Sequence, residues 1–179
     1  MKVSDIKLDD VSAALQTPEQ FVWTDLREPT PEMLKRVQKQ FGLHDLAVED
    51  AFNAHQRPKI ETYGKMIFIV LRTAQMKEGN IELGETHFFL GTNFLITVRH
   101  GSSKSYAEIR NRCESTPSLL RKGPGFALYA VMDAIVDQYF PVIDALEQEM
   151  GMLEGEIFHE RLRRETTTTV YKLRRKLLE

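Results

Sequence analysis

The spacing of apolar residues changes period twice along this chain. Met33, Leu34, Val37 and Phe41 recur at helical spacing. Ahead of them Thr30 is placed to cap and Pro31 to take the first helical position. Gly42 closes this helix, and a second, shorter one is expected from about Asp45 to Phe52 with Asp45 as its N-cap. Gln56-Arg57-Pro58 then turns the chain, because Pro58 fixes its own φ and holds Arg57 extended. Beyond it, residues 60–63, 66–75, 81–90 and 94–98 are β-rich, separated by turns at Tyr63-Gly64, Lys77-Glu78-Gly79-Asn80 and Gly91-Thr92-Asn93. Three hairpin connections in succession predict an antiparallel block. The unbroken apolar run 66–71 predicts a central strand covered on both faces. Upstream, Phe21-Val22-Trp23 reads as a short strand, while Ile6, Leu8 and Val11 give a weak strand signal.

Helical spacing returns over 105–115, with Tyr106, Ile109 and Cys113 facing inward, and Leu119-Leu120 begins a short turn. Past the breaker Gly123-Pro124-Gly125, a stripe from Leu128 through Val131, Met132, Ile135, Tyr139, Ile143, Leu146, Met150 and Leu153 to Ile157 predicts the longest helix. Pro141 should bend or interrupt it. A charged join over 160–165 and the poor helix formers Thr166 to Thr169 precede a final helix carried by Val170, Leu173 and Leu177.

Composition narrows the function classes. The 179 residues fit one domain of ordinary size, and 42% hydrophobic with 28% charged residues is a globular balance. A net charge of −2 excludes a global basic field for nucleic acid or anionic lipid. Cys113 stands alone and cannot form an internal disulfide, and the N-terminus lacks a secretory signal pattern, which points to a reducing cytosolic setting. Wholly apolar runs fall far short of the ~18 residues that nominate a membrane span, so the chain as given reads as soluble. His44, His55, His87, His100 and His159 lack HxxxH or HExxH spacing, which argues against a zinc enzyme. Phosphate-loop, dinucleotide and hydrolase motifs are missing too.

Two carboxylate pairs remain. Glu49 and Asp50 are adjacent on the short helix; Asp133 and Asp137 stand one turn apart on the long one. Like charges at that spacing cost only roughly 0.2–0.5 kcal/mol, so spacing alone describes a solvated acidic face as well as a cation site. Arg57-Pro58-Lys59 reads as a structural corner rather than an anion site, and His55 as a local hydrogen-bonding residue.

The run LAVEDAFNAHQRPKIETYG, followed by FIVLRT and FLITVRHG, resembles the cytosolic domain of the CorA family of magnesium and cobalt transport proteins. The similarity runs from about Phe21 to the end, and His55-Gln56-Arg57-Pro58-Lys59 is its most specific word. The resemblance implies a three-layer α/β/α domain over residues 1–122, with a mixed, partly antiparallel sheet, and long helices over 123–179 leading towards a stalk. The family's two membrane helices and Gly-Met-Asn pore motif are not in these residues, and the chain ends inside a helical pattern without a stop signal. A cytosolic piece of a longer inner-membrane protein is expected.

By the same resemblance the complete protein is a homopentameric channel and this domain its non-enzymatic regulatory part. Regulatory Mg2+, with Co2+ or another divalent cation as the variant, would sit between subunits on carboxylates matching Glu49, Asp50 and Asp133. Asp137 joins them as a fourth candidate ligand, and a further stalk carboxylate would lie beyond Glu179. No catalytic residue, organic cofactor or nucleic-acid partner is expected. Most family contacts between subunits use stalk and membrane segments, so association of this piece alone is not expected. The alternatives are a zinc-transporting relative, a free-standing binding module, and an enzyme built on the acidic cluster, which would need a carboxylate of raised pKa in a pocket. Asp45 departs from the proline that many relatives carry after the histidine.

Overall fold

In the computed structural model, which describes residues 10–102, 104–158, 168, 170, 171 and 174, five strands form one mixed sheet in the order β1-β5-β4-β3-β2. β2 (Lys59–Tyr63), β3 (Met66–Lys77), β4 (Asn80–Leu90) and β5 (Phe94–Gly101) are the antiparallel block that the turns predict. β1 (Val22–Arg27) runs parallel to β5, with Val22 opposite Phe94 and Arg27 opposite Arg99. It is longer than the predicted 21–23 segment, because pairing with β5 carries the polar half Thr24–Arg27 into the sheet. The central strand is β4 rather than β3, since β1 adds beyond β5 and shifts the middle of the sheet. β3 is nonetheless covered on both faces, by Phe68 and Val70 on one side and Ile69 on the other.

Side-chain alternation divides the core into two layers. Phe68, Val70, Phe89, Ile96 and Val98 pack against α2 (Pro31–Phe41) and α3 (Asp45–Phe52) through residues such as Leu34, Val37, Ala47 and Ala51. On the opposite face, Ile69, Phe88 and Leu95 meet Tyr106, ahead of α4 (Ala107–Glu114), and Ala127, Leu128, Val131 and Ile135 of α6 (Pro124–Phe158). This is the three-layer α/β/α arrangement. The short helices α1 (Val11–Leu15) and α5 (Pro117–Leu120) complete it. Val11 is thus helical rather than extended, and Ile6 and Leu8 lie outside the described residues.

Local chemistry explains most helix ends. Thr30 Oγ1 accepts the Met33 N–H at 3.3 Å, and Gly42 closes α2 at φ 65°. Leu34, Val37 and Phe41 face inward, whereas Met33 is exposed. The α3 cap is His44, not Asp45: His44 Nδ1 accepts the Leu46 N–H at 3.3 Å, and Asp45, now the first helical residue, accepts from Gln38 Nε2 at 2.5 Å.

Gly123, at φ 87°, is the sole breaker before α6; Pro124 and Gly125 lie within that helix. Pro141 does not interrupt it. Pro141 and Asp137 are both exposed, which leaves solvent to meet the carbonyl that proline frees. Over Pro124–Gly155 the helix has the length and composition of a membrane-crossing segment, at mean hydropathy 1.3, which counting unbroken apolar runs does not reveal. About a third of that window is buried, Ala127 and Val131 fully, as in a core helix. Of the predicted stripe, Leu128, Val131, Ile135 and Leu153 are buried while Ile143 and Met150 are exposed. The predicted join and the threonine run fall outside the described residues, apart from Thr168. Packing divides the chain into two compact units, Met1–Tyr139 and Phe140–Glu179. The sheet and every candidate residue belong to the first.

Candidate functional site

The inner edge of β2 clasps α3. Lys59, Glu61 and Tyr63 alternate with exposed Ile60 and Thr62, so the three point to one side. Tyr63 stacks on the His44 cap with ring centroids 4.3 Å apart. Lys59 Nζ reaches Asp50 Oδ2 at 2.7 Å and Glu61 Oε2 at 3.0 Å, and Tyr63 Oη donates to the same Glu61 oxygen at 2.8 Å. The hydrogen bond to Asp50 raises the Lys59 pKa. The Tyr63 hydroxyl first, and Lys59 second, lower that of Glu61. Neighbouring Glu49 is exposed and has no ion pair among the described residues. Lys59 is therefore more than the structural corner expected of it.

Beneath α3 lies a buried polar floor. Glu85 and His87 on β4 point towards α3, and His100 on β5 stands directly opposite Glu85. His100 Nε2 donates to the Ala51 carbonyl at 2.8 Å while Nδ1 faces Glu28 Oε2 at 3.0 Å. A carbonyl oxygen can only accept, so the bond to Ala51 places a hydrogen on Nε2. Glu28 Oε1 also accepts the Gly101 N–H at 2.7 Å. Burial pushes the Glu28 carboxyl up, but that N–H and His100 outweigh it, leaving the pKa lowered.

Glu85 Oε1 accepts from the His55 N–H at 2.7 Å and from His87 Nε2 at 3.1 Å. Burial drives the His87 pKa down to about 4, so its ring is neutral. Glu85 Oε2 and His87 Nδ1 are buried with no hydrogen-bond partner among the described residues. Glu28 (φ 44°) and His55 (φ 74°) are left-handed non-glycine residues, and this network holds both corners. It anchors the end of α3 and the turn that follows. The local role expected of His55 falls to its backbone N–H.

Asp133 and Asp137 are exposed on α6. Asp133 Oδ1 accepts a long 3.5 Å hydrogen bond from Tyr129 Oη. No group of three His, Cys, Asp or Glu that could hold a metal exists among the described residues. The structure keeps each predicted pair together on its own helix but separates the pairs: α3 covers one face of the sheet and α6 the other. All four candidates offer hard oxygen donors; Glu49, Asp133 and Asp137 are exposed, while Asp50 is half-buried and paired with Lys59, and such donors suit magnesium that keeps several of its waters. Cys113 is buried, and burial raises its thiol pKa.

Sequence reasoning missed Glu85, His87 and His100. A signal was present, because Glu85 and His87 share their strand face with Phe89, the register of the core.

Residues 18–179 match the family described as CorA-like Mg2+ transporter protein. The putative metal ion transporter YfjQ of Bacillus subtilis (strain 168) is 32% identical over 132 residues, covering 74% of this chain and 41% of that protein. The cobalt/magnesium transport protein CorA of Thermotoga maritima is 31% identical over 151 residues, 83% of this chain and 43% of that protein. The chain thus spans less than half the length of either relative. The solved soluble domain of CorA from Methanocaldococcus jannaschii superposes with a TM-score of 0.69 at 20% identity, covering 99% of this chain and 68% of that one. That match concerns the fold.

Proposed function

We propose, from the premise that the chain belongs to the family of CorA-like Mg2+ transporter proteins, that it is the cytosolic cation-sensing part of an inner-membrane magnesium or cobalt channel. In this reading residues 123–179 lead to a stalk and membrane domain, and the complete protein is a homopentamer. Glu49, Asp50, Asp133 and Asp137 hold regulatory Mg2+ between neighbouring subunits. The relatives are named as transporters, which supports a non-enzymatic role.

The observation that carries the sensing role is the separation of the two carboxylate pairs. Each pair has at least one exposed member, yet they lie on helices covering opposite faces of the sheet, so a cation using both sets needs two copies of the chain. Magnesium dehydrates reluctantly and is commonly held by one or two carboxylates through water. Such binding is weak, and a sensor must bind near the concentration it reports. With the cation present the facing carboxylates are bridged and the ring is held closed. Without it they repel, by about 1 kcal/mol for a water-exposed pair at 4 Å, and the interfaces loosen.

The test is magnesium-dependent closure of the full-length protein in proteoliposomes, with D50N and D133N combined. The midpoint is expected to rise at least about tenfold, the loss of roughly one charge-assisted contact. An unchanged midpoint would sink the proposal.

A further inference from the structure

We propose that Lys59 is a tethered counter-cation that competes with divalent metal for Asp50 and so sets the concentration to which the site responds. The inference rests on the reading of Asp50 as a cation ligand given above.

The geometry supplies both halves of an exchange. The ammonium of Lys59 lies between two carboxylates, 2.7 Å from Asp50 Oδ2 and 3.0 Å from Glu61 Oε2. Antiparallel pairing of Lys59 with Val70 fixes its backbone, and Nζ lies 5.8 Å from the centroid of the Phe68 ring. The ammonium is therefore tethered within reach of both carboxylates. A divalent ion bound directly to Asp50 at about 2.1 Å from oxygen repels an ammonium held on the same carboxylate, so ion binding and the Lys59–Asp50 pair oppose each other.

Glu61 provides the second seat. When a divalent cation takes Asp50, the ammonium stays paired with Glu61, whose carboxylate the Tyr63 hydroxyl already orients at 2.8 Å. Lys59 is thus displaced without losing its last partner. Glu49, one residue before Asp50 and without an ion pair among the described residues, is left to the incoming ion.

A purely structural clasp between β2 and α3 predicts something different, and Mg2+ alone suffices as the probe. In the full-length protein, protection from limited proteolysis is titrated with free Mg2+. Lys59→Met keeps most of the aliphatic stem and removes the charge; it is expected to lower the midpoint about threefold to fivefold, the scale of a partly exposed ion pair. Glu61→Gln commits Lys59 to Asp50 and is expected to raise the midpoint about twofold. In the double variant the Glu61 effect disappears, because it acts through Lys59.

A clasp would instead make both single variants respond more weakly. A general field effect would leave the Glu61 shift intact in the K59M background. Either result, or an unmoved K59M midpoint, overturns the inference. Should K59M fail to assemble, Lys59→Gln is read the same way. D50N separates the two levels: if it leaves the midpoint unchanged, the ligand reading of Asp50 fails and this inference with it. If D50N shifts the midpoint while K59M does not, only the role of Lys59 falls.

Discussion

His87 shows what one buried ring does to the pH response. Its side chain is fully enclosed; burial holds it neutral, Glu85 opposes that effect and His100, with ring centroids 5.4 Å away, adds to it, leaving a pKa of about 4. An unfolded chain protonates the same residue near its ordinary value of about 6.5. Stability from the neutral native ring is thus complete above about pH 6.5 and is lost as pH falls, by about 2 kcal/mol at pH 5 and about 3 at pH 4. The lowered carboxyls of Glu28, Glu32, Glu61 and Glu82 contribute their losses mainly below about pH 4.5, and comparison with a variant that cannot titrate separates His87 from the other histidines. His87→Gln retains a side-chain N–H for Glu85 but cannot titrate. In urea unfolding the native sequence is expected to lose about 2 kcal/mol between pH 7 and pH 5, and H87Q only a small part of that. Parallel losses would assign the acid sensitivity elsewhere.

At the scale of elements, the edge strand β1 is tied to β5 by a charge pair in addition to its backbone ladder. Arg99 Nε and Nη2 meet Asp25 Oδ1 and Oδ2 at 2.9 and 2.6 Å, Thr97 Oγ1 donates to Asp25 Oδ1 at 2.7 Å, and the Arg99 guanidinium lies 5.1 Å from the Tyr106 centroid. Asp25 is partly exposed while Arg99 is buried, so removing the carboxylate leaves a buried guanidinium with the Lys104 carbonyl as its remaining hydrogen-bond partner, at a cost of about 1–3 kcal/mol. Asp25→Asn is therefore expected to lower the free energy of unfolding measured in urea by that amount and to raise amide exchange across Val22–Arg27; a cost below about 0.5 kcal/mol would show that backbone pairing alone holds β1. The same pair shows where sequence reading stops. Thr30 and Gly42 were legible because caps act within a few residues, and the turns after Tyr63, Lys77 and Leu90 for the same reason. Asp25 and Arg99 are 74 residues apart, so no local signal extended the predicted 21–23 segment through Thr24-Asp25-Leu26-Arg27. Apolar 66–71 reported burial on both faces correctly, but burial carries no information on strand order. At the candidate site Glu49 and Asp50 came from family resemblance, and Lys59 looked like a corner because its partner lies on another element. Glu85 and His100 were hidden because a charged residue in a strand reads as solvent-facing until the register places the two opposite each other.

For the whole molecule, carboxylates on opposite sides of one sheet make the assembly itself testable. If each proposed contact takes Asp50 from one copy and Asp133 from its neighbour, it is heterologous, and every copy contributes different halves to two contacts. Oligomers built only of D50N chains, or only of D133N chains, then contain no intact contact, and both are expected to lose the magnesium response. Co-expression of the two at equal levels changes this. A D133N copy still presents Asp50, and a D50N neighbour still presents Asp133, so about a quarter of the contacts in a randomly mixed ring are intact. Part of the response should return, measured as magnesium-dependent closure of the purified mixed oligomers. A site closed within single chains makes the opposite prediction. Every copy then carries one lesion whatever its neighbour, and mixing restores nothing. Recovery on mixing would assign cation sensing to the contact between subunits, and its absence would exclude that contact as the sensing site.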